Sequence, residues 1–232
     1  MLNIIKSNNK TSGTNGNCVI HLNQRMKGLY GLYSFIFTDT LYNVYSANNR
    51  FVITDTSDTV ISNVLLDEGF YTGSELADKI TSAVTDLTAT FDDNTNKFTF
   101  TYTSDFKLAF SSTYTNTCSE ILGFEQSDYT STSSSLTSVK CADFNPHKTL
   151  FITINKANKP IENNSSSNHH EYTFMISDAS STFGSLFRYL QDDQLRQQYA
   201  EIDSTRQIEV EIRDDDHNVI DPTNWIMILQ RK

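Results

Sequence analysis

The stretch Phe98-Thr-Phe-Thr-Tyr102 alternates large apolar and polar side chains, and Ile208-Glu-Val-Glu-Ile212 repeats the pattern. Successive side chains of a β-strand point to opposite faces, so each stretch predicts a strand with one buried face. The same period, less regular elsewhere, indicates about eight to ten strands, which is typical of an all-β sandwich or barrel. The further predicted strands are Cys18–Leu22, Tyr33–Phe37, Phe51–Ile53, Val60–Leu66, Ala89–Phe91, Lys107–Phe110, Val139–Cys141, Leu150–Ile154, Tyr172–Ile176 and Trp225–Leu229.

Length and composition fit one large β domain or two small ones. The chain has 232 residues, of which 12% are aromatic and only 8 are Gly and 3 Pro, so it can bury a core. It shows no internal repeat and no linker-like boundary. We therefore expect a flexible amino-terminal arm at 1–16 followed by a single domain at 17–232. No apolar run is long enough to predict a signal peptide or a membrane span.

The net charge disfavours a function that requires binding to nucleic acid. There are 18 basic and 28 acidic side chains, which leave a formal charge of −10 and a pI near 4.8. Such a surface repels phosphate backbones and anionic lipid, so binding to nucleic acid is not expected.

One helix is predicted with a defined start. Thr72-Gly-Ser-Glu75 is a capping box, and it precedes apolar residues at helical spacing, which predicts a short helix at 73–86. A second segment, 183–199, stays open between helix and strand. Its apolar residues have helical spacing, yet the part from Leu186 to Gln191 could equally be an extended edge.

Two turns and two loops follow from polar runs. Asp92–Asn96 and Asp214–Asn218 each link apolar runs, and both predict hairpin turns because Asn and Asp tolerate left-handed backbone. The stretches 127–138 and 163–170 are rich in Ser and Asn and almost free of apolar residues. We expect both to be exposed, mobile loops.

The search for catalytic and metal-binding motifs identifies no site residue and no cofactor. The chain has no nucleophile elbow and no phosphate-binding loop. A cupin-like metal site needs imidazoles one residue apart on a strand, whereas His169 and His170 are adjacent. Asp214, Asp216 and Asn218 match the first ligand positions of a calcium loop, but the positions that require Gly and Glu do not follow. The remaining carboxylate and amide groups are interpreted as solvated turns or faces: Asp92, Asn94 and Asn96; Asp67 and Glu68; Asp192 and Asp193.

The three cysteines form no disulfide or zinc pattern. Cys18 and Cys141 occupy inward positions of predicted strands, and Cys118 precedes a small apolar segment. Since no His is paired with any of them, we interpret them as reduced, buried thiols rather than nucleophiles. Trp225 is predicted to anchor the core of the last strand. His21 and His217 receive no role.

The order of motifs resembles that of the single jelly-roll minor capsid (penton) proteins of virophages, polinton-like viruses and related large DNA viruses of eukaryotes. The resemblance covers about residues 17 to 230, and its most distinctive elements are the capped-helix step and Leu122-Gly123-Phe124. In the acidic turn near the carboxyl end, this chain has His217-Asn218 where a glycine is expected. The motifs, in order, are Leu65–Leu76, Ala89–Tyr102, Phe106–Phe110, Cys118–Phe124, Ile208–Asp221 and Trp225–Gln230.

The resemblance implies a structural role without catalysis. It implies a single jelly-roll β-sandwich that forms a homopentamer at the fivefold vertices of an icosahedral virion, next to a double jelly-roll major capsid protein. It also implies synthesis in the host cell cytoplasm and a place in the virion capsid. A ring of five copies would carry about −50, so its acidic groups must lie at exposed rims or face basic partners.

An alternative function stays open at this point. A β-sandwich of this size could be a glycan- or receptor-binding head domain of a virion or cell-surface assembly. Its shallow site would use the Ser/Thr/Asn-rich loops and tyrosines such as Tyr114 and Tyr129.

Overall fold

The structure is a computed structural model, and it falls into two compact units. Unit 1 combines Met1–Leu41 with His147–Lys232, and unit 2 is Tyr42–Pro146. The single domain expected at 17–232 stays a prediction, and each unit is described here by itself. The residues that the structure describes are 2–111, 113–145, 149–154, 157–158, 161–163, 170–177, 183–184, 186–190, 199–214 and 218–232.

The elements are almost all strands. In chain order they are β1 Leu2–Lys6, a 3-10 turn Ser7–Asn9, β2 Lys10–Gly13, β3 Asn17–Thr38, β4 Arg50–Thr54, β5 Val60–Leu65, α1 Gly73–Ala83, β6 Thr88–Asp92, β7 Lys97–Thr101, β8 Lys107–Leu108, β9 Tyr129–Thr130, β10 Ser135–Thr137, β11 Thr149–Ile154, β12 Ala157–Asn158, β13 Ile161–Asn163, β14 His170–Tyr172, β15 Phe174–Ser177, β16 Leu186–Leu190, β17 Tyr199–Arg213 and β18 Thr223–Arg231. Every strand pairing between these elements is antiparallel. The predicted all-β class is confirmed, although the strands are more numerous and often shorter than predicted.

Unit 1 is built on the long strand β3. Its main sheet has the order β1-β18-β3-β17-β11-β15, with β2 and β16 also paired to β3 and β12 to β17. Alternate residues of these strands point inward, as the period of two requires, and they form one apolar core. Trp225 lies in that core and its ring is 5.8 Å from the ring of Phe35, centroid to centroid, so its predicted anchoring role is confirmed.

The amino-terminal segment belongs to the sheet of unit 1. Strand β1 pairs with β18 from Leu2 opposite Gln230 to Lys6 opposite Ile226. The buried Ser7 hydroxyl accepts a hydrogen bond from the Trp225 backbone N–H at 3.0 Å. In the structure Leu2–Lys6 is therefore paired with β18, while the flexible arm expected at 1–16 stays a prediction. Even this short polar segment places one large apolar side chain, Ile5, in the core.

Unit 2 contains helix α1, the only helix among the described residues that is longer than a 3-10 turn. The predicted capping box is confirmed: the Glu75 backbone N–H donates to the Thr72 hydroxyl, and the Glu75 carboxylate accepts from the Thr72 N–H at 2.9 Å. The helix ends at Ala83, three residues before the predicted end. Val84 already has extended backbone, and it is buried among the apolar residues of unit 2.

A glycine is required where α1 begins. A Cβ atom on Gly73 would lie 2.3 Å from two carbons of the Phe91 ring. The absence of a side chain at this position lets the helix start pack directly on β6. Two small sheets accompany the helix, with strand orders β5-β4-β8-β9 and β10-β7-β6. The core of unit 2 is rich in fully buried rings, among them Phe51, Phe98 and Phe100.

The predicted hairpin turn at Asp92–Asn96 is confirmed, and the turn at Asp214–Asn218 is described only at its two ends. Asp92 and Lys97 close the β6–β7 hairpin, and Asn96 adopts the left-handed conformation with a φ of 55°. In the other turn the Asp214 N–H donates to the Asn218 carbonyl at 3.1 Å, and an isolated bridge follows at the next pair of residues. The residues between Asp214 and Asn218 lie outside the described part of the chain.

Two predictions about the segment before residue 142 are wrong. Val139–Cys141 forms no strand, and the supposed mobile loop 127–138 contains β9 and β10. Ser131 and Ser138 are buried there, and their hydroxyls accept hydrogen bonds from the backbone N–H groups of Phe106 and Phe98. This segment is held in place by side-chain hydroxyl groups that bind backbone N–H groups, rather than by apolar side chains. The hydropathy pattern therefore gave no sign that the segment is ordered.

The structure describes parts of two further segments for which predictions were made, 183–199 and 163–170. Strand β16 resolves the ambiguity of 183–199 in favour of an extended strand at Leu186–Leu190, while 191–198 lies outside the described residues. The predicted loop 163–170 begins and ends in the paired strands β13 and β14, and its residues 164–169 lie outside the described part.

Candidate assembly surface

The described residues that were weighed as metal ligands bind their own turn or a nearby lysine instead. Within the described residues no group of three or more His, Cys, Asp and Glu side chains could hold a metal ion. The Asp214 carboxylate accepts from the N–H and the side-chain amide of Asn218, at 2.8 and 3.3 Å, and so closes its own turn. Asp67 forms a salt bridge with Lys79. Four other candidates lie outside the described residues: His169, Asp192, Asp193 and Asp216, and so does His217.

The other candidate turn binds its own backbone as well. The Asp92 carboxylate accepts from the Thr95 hydroxyl at 2.8 Å and from the Asn94 N–H at 3.0 Å. These bonds, the Thr95 bond foremost, lower the pKa of Asp92 because they favour its charged form. Asp92 therefore stabilises the hairpin, while the Asn96 side chain donates to the Ala142 carbonyl.

The cysteines differ in exposure. Cys18 and Cys118 are buried, and burial raises the pKa of Cys18 to about 11 and that of Cys118 to about 12. Both thiols stay protonated at neutral pH, which agrees with their interpretation as small core residues. The predicted inward position of Cys141 is wrong. It is exposed, because the strand that would have turned it inward does not form.

The tyrosines of the alternative binding-head interpretation have different surroundings. The Tyr129 ring packs 4.9 Å from the Phe124 ring, centroid to centroid, and its hydroxyl accepts from the Glu125 N–H. It is thus a part of the wall of the unit 2 core. Tyr114 is half-buried, and His21, which received no role, is exposed on β3.

Within the described ranges, none of the helices has the length and hydropathy that a membrane-spanning helix needs.

The charge of the chain is concentrated in unit 2. Residues 42–146 contain 14 acidic and 5 basic side chains, so this unit carries −9 of the net charge of −10. Unit 1 is close to neutral. Within unit 1 the described strands differ in charge. Six Lys and Arg residues, and neither Asp nor Glu, occur in one group of strands: β1, β2, β3, β16 and β18.

An apolar surface covers the outer side of these basic strands. The register places Ile4 beside Ile228 and Ile226 beside Ile36, and β16 continues the same side with Leu190 and Leu186. Ile4 is 60% exposed, Leu186 67% and Leu190 41%. We call this surface the outer face; it consists of Ile4, Ile36, Leu186, Leu190, Ile226 and Ile228.

The outer face differs from the solvent side of an ordinary antiparallel sheet, which is polar. The alternate residues of the same strands, such as Met227 and Phe35, already fill the core. Strand β18 is therefore apolar on both sides. Lys6 and Arg188 are exposed on the outer side, on β1 and β16, the two outer strands of this surface. Lys6 lies opposite Ile226, and Arg188 lies opposite Ile36 and between Leu186 and Leu190, so positive charge borders the apolar residues and reaches among those of β16.

Comparison with known proteins shows the fold but no sequence relative. No protein-family model matches the chain, and no curated protein matches it. Among solved structures it is similar to the crystal structure of the mavirus penton protein, with a TM-score of 0.56 and 11% identity over 99% of this chain and 96% of that chain. A chain of the Sputnik virophage cryo-EM structure aligns with a TM-score of 0.47 and 13% identity, over 100% of this chain and 98% of that chain.

The chain has the fold of the mavirus penton protein. The expected single jelly-roll β-sandwich fold is thereby confirmed, and the similarity extends over nearly the whole length of both chains.

Sequence reasoning missed the outer face. The run Trp225-Ile-Met-Ile-Leu229 was interpreted as a strand with one buried side. This run contains no polar residue, and β1 contains two isoleucines. An uninterrupted apolar run indicates a strand that is apolar on both sides, and this feature could have revealed the outer face.

Proposed function

We propose that this chain is a structural capsid protein, and specifically a penton protein that occupies the fivefold vertices of an icosahedral virion as a homopentamer. The observation that carries the proposal is the fold shared with the mavirus penton protein from end to end. The match covers 99% of this chain and 96% of that chain.

The distribution of charge supports assembly into a ring. A cyclic pentamer requires two different surfaces on each copy, which meet head to tail around the axis. A near-neutral unit 1 can pack against another copy at little electrostatic cost, whereas two copies of unit 2, at −9 each, repel one another.

The chemistry of the described residues supports a non-enzymatic role. The buried thiols are held protonated, and the acidic turns use their carboxylates to bind their own backbone. A thiol that stays protonated is a poor nucleophile, and a carboxylate that binds its own turn is poorly placed for proton transfer to a substrate.

The proposal includes partners and a location. Besides four further copies of itself, the chain would contact a double jelly-roll major capsid protein at the vertex. It would be made in the cytoplasm of the host cell and be located in the virion capsid. Its negative charge disfavours direct contact with nucleic acid.

Two measurements test this function. Native mass spectrometry with light scattering of the purified chain should detect monomers and pentamers, with the pentamer fraction rising with protein concentration. A cryo-EM map of the parent particle should show five copies around each vertex. A tight dimer that is insensitive to salt, or copies at positions other than the fivefold axes, would refute the proposal.

A further inference from the structure

The outer face has the properties of a protein-binding surface. A sheet side carrying leucines and isoleucines on four neighbouring strands loses free energy when it is removed from water. Four strands about 4.8 Å apart and five residues deep at about 3.3 Å per residue span roughly 300 Å². That is the size of the apolar centre of an interface, which a polar rim then surrounds.

The charges around the outer face decide what can cover it. Lys6 and Arg188 flank it, and the strands that form it contain no acidic residue. If two copies met with this face symmetrically, each would set its basic rim against the same basic rim. A symmetric dimer through this face is therefore electrostatically disfavoured.

Unit 2 of another copy offers the complementary surface. It carries −9, and it exposes apolar side chains on its edge strand β5, where Ile61 and Leu65 point outward. Asp67 and Glu68 follow that strand after the buried Leu66, and both are exposed, Asp67 within its salt bridge to Lys79. An apolar surface with basic flanks on unit 1 thus has a counterpart with acidic flanks on unit 2.

We infer that the outer face of unit 1 binds unit 2 of a neighbouring copy of this chain, and that this head-to-tail contact closes the ring. The inference rests on the proposed homopentamer and adds to it the two surfaces that meet. A contact between two different surfaces can close around a fivefold axis, which a contact of one surface with itself cannot do.

The first test reverses the charge of the rim. The double variant Lys6→Glu with Arg188→Glu should weaken pentamer formation by about tenfold or more, because it sets acidic groups against an acidic unit. The matched control is Arg25→Glu with Lys27→Glu, which makes the same change of charge on exposed residues of β3. These residues lie nine or more positions before Ile36, roughly 30 Å along the strand, and the control should stay within about twofold of wild type.

The second test removes apolar surface without adding charge. Leu186→Ser with Leu190→Ser alters two exposed side chains, so the fold should be preserved, while association should again weaken by about tenfold. Equal thermal unfolding of the variant and the wild type confirms that only the contact has changed. Leu29→Ser, an exposed leucine of β3 outside the outer face, is the control.

The third test identifies the occupant of the face. Pentamers mixed from isotope-labelled and unlabelled protein are treated with a carbodiimide, which joins Lys side chains to nearby carboxylates. Mixed cross-links from Lys6 should lead to carboxylates within residues 42–146 of the other copy. Mixed cross-links that lead only to carboxylates of unit 1 would overturn the inference.

The outcomes separate this inference from the proposed function. If the wild type forms pentamers and the rim and leucine variants form them equally well, the outer face is not the contact, and the proposed function stands. If the wild type forms no pentamer at any concentration or salt, both the proposed function and this inference fall.

Discussion

Replacement of Ser7 by alanine tests whether the amino-terminal segment holds unit 1 together. Ser7 has no exposed surface, and its hydroxyl accepts a hydrogen bond from the Trp225 backbone N–H at 3.0 Å. This bond joins residues 218 positions apart in the sequence. A flexible arm would make no such bond, so the substitution distinguishes the structure from the expectation based on the sequence.

The magnitude follows from the donor that loses its acceptor. In Ser7→Ala the Trp225 N–H remains buried without a partner, which costs about 1–3 kcal/mol. Because 1.4 kcal/mol corresponds to a factor of ten, the ratio of folded to unfolded protein should fall by roughly five-fold to 150-fold. The loss of one oxygen atom adds little, because the change of volume is smaller than a methyl group.

Urea unfolding measured by tryptophan fluorescence is the appropriate assay. Trp225 is the only tryptophan of the chain and lies in the core of unit 1, so its signal reports the unfolding of that unit. Ser12→Ala, at an exposed serine of β2, is the matched control and should leave the midpoint unchanged. A free energy of unfolding of Ser7→Ala within about 0.3 kcal/mol of the wild type would show that this hydrogen bond does not stabilise unit 1.

Three further outcomes are expected. Gly73→Ala should destabilise unit 2 by about 1–3 kcal/mol, because the added Cβ overlaps an aromatic ring of β6. The control Ser74→Ala, on the exposed side of the helix, should leave the stability unchanged. Equal unfolding curves for the two variants would contradict this prediction. A thiol reagent at neutral pH should label one cysteine of the folded chain, the exposed Cys141, and Cys141→Ser should abolish the labelling. Rapid labelling of a second thiol would contradict the burial of Cys18 and Cys118. Burial raises the pKa of Cys18 and Cys118 above the ordinary 9.0, so above pH 9 the folded state retains thiol protons that the unfolded state releases. The free energy of unfolding should therefore fall as the pH rises from 9 towards 11. In Cys18→Ala this decrease should be smaller.

The strands that form the core could be predicted from the sequence because their side chains alternate. Phe98–Thr101 and Ile208–Ile212 lie in strands whose inward residues are buried, and the capping box predicted the first residue of α1 correctly. Local hydrogen bonding and a period of two are properties of a few neighbouring residues, so a sequence displays them directly.

Features that depend on distant residues were missed. Ser131 and Ser138 are buried only because backbone N–H groups 25 and 40 positions away need acceptors, and no local pattern reveals that demand. Ile4 and Ile228 become neighbours only when β1 pairs with β18. The outer face is therefore a product of the pairing register rather than of any continuous segment of sequence.

The pairing of β1 with β18 also dictates the order in which the protein can be completed during its synthesis. Unit 2 is a continuous segment, Tyr42–Pro146, and all of its strands have left the ribosome before the second half of unit 1 has been made. Unit 1 must instead keep β3 unpaired with β17 and β18 until translation reaches residues 199–231. During that interval β2, and later β16, can pair with only part of this 22-residue strand, and the rest of its edges is exposed to other nascent chains. This protein should therefore depend on chaperones most while its second half is being translated.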